Sequence, residues 1–126
     1  MKKSLILSLF ALALVLALGS CKQAADGSIV GTWSLATIQG APVSLVPNTS
    51  GTLVVANDMT FTQNLDVNGT AGTSTGVVTN NGNNSFTFKY TGDVFTPNGY
   101  AATMSSDGKT LTIENLVVFG TLTWTK

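Results

Sequence analysis

Histidine and arginine are both absent from this 126-residue chain, and cysteine occurs once, at Cys21. Without an imidazole, no serine or cysteine can be activated by a neighbouring histidine, so Ser-His and Cys-His chemistry is excluded. A single cysteine closes no internal disulfide. The cations are all lysine. From Cys21 onward, Lys22, Lys89, Lys109 and Lys126 stand against Asp26, Asp58, Asp66, Asp93, Asp107 and Glu114, a formal charge of minus two. Binding phosphates takes a basic face, so nucleic acid is excluded as a partner, and so is an electrostatic membrane patch. The acids sit mostly at turns: Asp58, Asp93 and Asp107 each adjoin Gly or Asn, and Asp66 lies on a polar strand face. The segment Asp66-Val67-Asn68-Gly69 lacks the spacing and closing glutamate of a calcium loop. The chain therefore reads as non-enzymatic, with no metal and no cofactor expected.

What is present begins with an apolar run. Lys2 and Lys3 precede residues 5–18 (LILSLFALALVLAL), interrupted only by Ser8. As a helix this run spans about 21 Å, short of the roughly 30 Å hydrocarbon core of a bilayer. That length suits a signal peptide better than a spanning helix or a buried helical hairpin. Leu18-Gly19-Ser20-Cys21 follows and resembles the lipobox of bacterial lipoproteins, with Gly at a position where that choice is less usual. The resemblance implies cleavage before Cys21, a diacylglyceryl group on its sulfur and a fatty acyl chain, typically palmitate, on its amino group. Two or more chains suffice for stable attachment. The expected organisation is a signal peptide over 1–20, a lipidated cysteine and flexible tether over 21–28, and one domain over 29–126. Lys22 is not the aspartate that retains many such proteins on the inner membrane, so the expected location is the bacterial cell envelope at its outer membrane, with the exposed side left open.

From Ile29 the pattern is β. Threonines alternate with apolar residues, and Gly, Asn and Asp punctuate the runs. Eight strands are predicted, over residues 29–39, 52–56, 59–67, 75–80, 85–91, 99–105, 110–115 and 117–125. Residues 59–67 (MTFTQNLDV) alternate most regularly, and 85–91 (SFTFKYT) place Phe86, Phe88 and Tyr90 on one face. Alternation assigns Trp33, Leu35, Phe61, Gln63, Val77, Ala102, Leu122 and Trp124 among others to the interior. Short, evenly spaced strands favour an antiparallel meander, and closing it removes the exposed edges. A small eight-stranded up-and-down barrel is expected, with a β-sandwich as the alternative. A transmembrane barrel fits poorly, because its strands run about 9 to 11 residues with an apolar outer face.

Gly31-Thr32-Trp33-Ser34-Leu35 resembles the G-x-W opening strand of lipocalins. Residues 51–65 (GTLVVANDMTFTQNL), 107–113 (DGKTLTI) and 120–126 (GTLTWTK) resemble strands two, three and the final hairpin of small bacterial lipocalin-like domains. Trp33-Ser34-Leu35 with Gly40-Ala41-Pro42-Val43 is also similar to the opening of META-domain lipoproteins. The lipocalin resemblance implies a barrel of a kind often associated with carrying or sensing apolar ligands. Larger lipocalins stack a late arginine on the G-x-W tryptophan. Here Lys126 is a partial substitute, and Trp33 packed against Trp124 is another way to close the base.

An eight-stranded barrel is either filled by its own side chains or holds one small ligand. So many large inward residues favour a filled core. Gln63, Tyr90 and Tyr100 point the other way, since a buried amide or phenol needs a partner. The candidate ligand-binding residues are Phe61, Gln63, Phe88, Tyr90, Tyr100 and Met104. A different reading is a non-catalytic protein-interaction module, an inhibitor or envelope-assembly accessory. Its contacts would come from the loops 41–50 and 92–98, where Val46, Val94 and Phe95 stand near prolines.

Overall fold

The computed structural model describes residues 28–126, so Cys21 and the apolar run before it lie outside the described residues. Nine strands form one sheet: β1 (Gly31–Ile38), β2 (Ala41–Pro42), β3 (Ser50–Val55), β4 (Thr60–Val67), β5 (Thr70–Gly82), β6 (Ser85–Tyr90), β7 (Tyr100–Met104), β8 (Thr110–Leu116) and β9 (Gly120–Thr125). β2 is a two-residue spur paired to the end of β1. β1 and β3 to β9 pair antiparallel in chain order, and β1 also pairs with β9, with Leu35 opposite Trp124. The fold is thus a closed eight-stranded up-and-down β-barrel.

Side chains alternate across the wall because successive residues of a strand point to opposite faces. On β4, Phe61, Gln63 and Leu65 point inward while Thr60, Thr62 and Asn64 face out. On β7, Tyr100, Ala102 and Met104 are inward. Trp33, Leu53, Phe88, Leu111, Ile113, Leu122 and Trp124 are all fully enclosed.

Three expectations need correction. Val77 is 48% exposed, and the inward residues of β5 are Gly76 and Val78. The register explains this: Gly76 lies opposite inward Phe61, and Val78 opposite inward Phe88. A Cβ on Gly76 would fall 2.7 Å from the Phe61 ring and collide with the Lys89 carbonyl, so the glycine leaves that ring its space. The last strand starts at Gly120 rather than 117, because a register shift after Ile113 and a left-handed Asn115 (φ 57°) turn the chain early. The Asn57-Asp58 turn takes in Met59, which adopts φ 66° and donates its N–H to Ala56 O over 2.9 Å.

The registers give the barrel two different ends. Ser28 to Val30, the turns near 58, 83 and 107, and Lys126 gather at the base. There the Lys126 ammonium lies 4.7 Å from the Trp33 ring centroid and donates to Ser28 O (2.6 Å) and Val30 O (2.9 Å). Trp33 Nε1 donates to Ile29 O over 2.9 Å. The cation therefore occupies the place over the tryptophan that the sequence assigned to it only in part. The segment 39–49, the turn at 68–69, the loop 91–99 and the turn 117–119 surround the opposite end, the mouth.

Candidate functional site: a cleft at the barrel mouth

At the mouth the wall supplies a chain of aromatic rings. Phe88 and Phe61 lie 5.0 Å apart between ring centroids, Phe61 and Tyr90 4.9 Å, and Tyr90 and Tyr100 5.5 Å, the last two pairs edge to face. Such offset and T-shaped contacts suit the ring quadrupoles. They lead from the packed interior up to the loops. Gln63, the only buried polar side chain among the described residues, accepts a hydrogen bond from Tyr90 Oη at its Oε1 over 2.7 Å. The amide oxygen and the phenol thereby pair with each other inside a largely apolar wall.

The loop after β6 is folded around Asp93. Its Oδ1 accepts the backbone N–H groups of Phe95 (2.9 Å) and Thr96 (3.1 Å), a local turn typical of aspartate. Its Oδ2 accepts the Tyr100 hydroxyl at 2.6 Å. That phenol above all, followed by the backbone donors, holds the Asp93 carboxyl below the usual carboxylate range. The Tyr100 phenol is pushed up, by burial first and by the bond to Asp93 second. Burial likewise drives the Tyr90 phenol well above its ordinary range, with Tyr100 adding to the effect. With its backbone tied down in this way, the loop turns Val94 (79%) and Phe95 (78%) out into solvent.

Between this loop and the turn 117–119 lies a cleft of about 330 Å³. Gln63, Tyr90 and Tyr100 form its floor, Asp93 to Phe95 one wall, and Leu116 to Phe119 the other. A second, apolar groove of about 480 Å³ runs along Ile38, Val46 and Val67 and meets the first at Val118 and Phe119. Phe119, half-buried against the core, stands between the two. The first volume falls at the small end of the range for ligand sites.

Of the residues the sequence singled out, Gln63, Tyr90 and Tyr100 line the cleft. Phe61 and Phe88 stand beneath it, both buried, Phe61 packed on Tyr90 and Phe88 on Phe61. Met104 is also buried, but at the other end of β7, opposite Leu111 and far from the floor. Asp93, Leu116 and residues 117–119 were not anticipated as lining. The apolar Val94-Phe95 pair between Gly92-Asp93 and Pro97-Asn98 is a sequence signal for this wall. Nothing comparable marks 117–119, which read as strand. No group of three or more potential metal-ligating acids, cysteines or histidines assembles among the described residues. No family model, no curated protein and no solved structure matches this chain.

Proposed function

We propose that the protein is a membrane-anchored bacterial lipoprotein, held at the outer membrane through acylated Cys21, whose lipocalin-like barrel carries a small, largely apolar ligand without catalysing a reaction. The observation that carries the ligand reading is the cleft itself. Below it the barrel is filled by enclosed side chains. At the mouth, aromatic and aliphatic walls converge on a few fixed polar atoms, the usual composition of a small-molecule site. The anchor rests on the lipobox-like residues 18–21. The described chain begins at the base, so a tether over 22–28, at most about 25 Å at full stretch, would join the anchor to that end of the barrel.

Native mass spectrometry of gently purified protein tests the ligand reading. A reproducible mass excess that organic solvent removes supports it, whereas a bare-protein mass that persists after incubation with a lipid extract defeats it. Palmitate labelling that is lost in Cys21→Ser tests the anchor separately.

The second reading, a protein-interaction module, is favoured by one observation. Leu45, Val94, Phe95, Val117 and Val118 are each more than half exposed, and all five belong to the loops at the mouth. Apolar residues clustered on one end mark contact surfaces more often than chance. Recovery of a single envelope protein with the native chain and its loss with Phe95→Ser would favour this reading over the first.

A further inference from the structure

We propose that the mouth cleft selects ligands with an amine or quaternary ammonium head on an apolar body, and discriminates against carboxylates and phosphates. The inference rests on the cleft being a ligand site and adds the chemistry of the head group.

Charge is the first argument. Asp93 is the only charged residue among those lining the cleft, none of the lysines among the described residues lines it, and the chain has no arginine or histidine to do so. A fatty acid or phosphate would therefore leave water to face a carboxylate with no cation to meet it. The Asp93 carboxylate takes hydrogen bonds from Tyr100, Phe95 and Thr96. These neutral donors fix its orientation and keep it ionised without cancelling its charge, and a carboxylate has room for a further donor.

The rings are the second argument. Tyr90, Phe95, Tyr100 and Phe119 all border the cleft. Aromatic faces attract ammonium groups through the ring quadrupole, and the effect grows where water is displaced.

The direction of the hydrogen bonds is the third. Tyr90 gives its hydroxyl hydrogen to Gln63 and Tyr100 gives its own to Asp93. The Tyr90 oxygen is thus left as an acceptor, whereas that of Tyr100 already meets the Thr96 side chain and the Val117 backbone N–H. The uncommitted side-chain donors are neutral ones, the Gln63 amide and the hydroxyls of Ser74 and Thr91. A head group rich in N–H or positive charge finds one phenolic acceptor, a carboxylate and rings. An anionic one finds no charge to pair with.

The test is calorimetric titration of the full chain with three probes sharing one alkyl tail: octyltrimethylammonium, octanol and octanoate. The cation is expected to bind about tenfold more tightly than octanol, and octanoate more weakly than either. Asp93→Asn keeps an oxygen for the Phe95 and Thr96 amides while removing the charge. In that variant the cation should bind no more tightly than octanol. Should that variant fail to fold, salt titration of the native chain takes its place: added salt must weaken the cation and spare octanol. Octanoate binding as tightly as the cation overturns the head-group selectivity and leaves the cleft standing as a ligand site. Octanol and octanoate binding equally, with the cation excluded, has the same meaning. Failure of all three probes to bind overturns the selectivity together with the ligand reading beneath it.

Discussion

Tyr100 and Asp93, seven residues apart on either side of a loop, meet in a 2.6 Å hydrogen bond from the phenol to Oδ2. The bond closes the loop 91–99 onto the start of β7 and places a carboxylate at the mouth. It also ties the titration of both groups to the folded state.

Tyr90 and Tyr100 are the only tyrosines in the chain. Burial raises both phenols above their ordinary value of 10.0. Phenolate absorbance followed against pH should therefore rise later in the native protein than in the same chain in denaturant. Tyr100→Phe should leave a single step from Tyr90, which its burial still holds later than in denaturant. Coincident native and denatured curves would contradict the packing of these rings.

The acid side is set by aspartates at turns. Asp58, Asp93 and Asp107 all lie below the ordinary value of 3.8, chiefly through side-chain hydrogen bonds from Thr60, Tyr100 and Ser105 respectively. A carboxyl lowered in the folded state adds stability that is complete above its unfolded value and is lost as pH falls through the folded one. Thermal stability should thus decline below about pH 4. Between roughly pH 5 and 8 it should be flat, since no histidine is present to titrate there. Asp93→Asn should make the acid decline shallower in a pH series of melting curves.

Gly76 is expected to be the most sensitive glycine of the barrel wall. Alanine there drives its methyl into the Phe61 ring and the Lys89 carbonyl, and the second of these is backbone that cannot swing away. Gly76→Ala should cost about 3 kcal/mol in urea unfolding, with an unchanged denaturant slope if only packing is strained. Alanine at Gly72, on the same strand with no neighbour within 4 Å of its Cβ, should be tolerated.

At the base, Lys126→Ala removes the cation over Trp33 and two hydrogen bonds to main-chain carbonyls. The ammonium is exposed to solvent, which discounts the electrostatic part, so a loss of about 1 kcal/mol is expected. Lys126→Arg should match or exceed the native stability, because a planar guanidinium stacks on an indole better than an ammonium does. Chemical denaturation of the three proteins side by side checks the order.

The barrel was legible because its strands alternate strictly where they are rich in large residues, as in β4 and β6. Legibility failed where the alternating residues were small or the apolar ones lay outside the sheet. In β5 the inward position 76 is a glycine and carries no hydropathy signal, so Val77 took its place in the pattern one residue out of phase. Val117 and Val118 look like strand interior, yet they stand exposed on a turn. Apolar character by itself does not distinguish a residue facing the core from one facing a cleft. Gln63, Tyr90 and Tyr100 stood out as polar groups on apolar faces, which is a question any buried polar atom raises. Asp93 read as an ordinary turn residue, and its Oδ1 behaves as one. The role of its other oxygen depends on where Tyr100 falls at the end of the loop, and that no period in the sequence encodes.

The seam between β1 and β9 sets an order of events. Gly31–Ile38 and its partner Gly120–Thr125 stand at opposite ends of the described residues, with the other strands between them. Until the two meet, one flank of β1 has no hydrogen-bonding neighbour, and Trp33 has no cation above it. Contacts so distant along the chain are slow to form. The barrel therefore remains an open sheet, with a bare strand edge on each side, for as long as that seam takes to find its register.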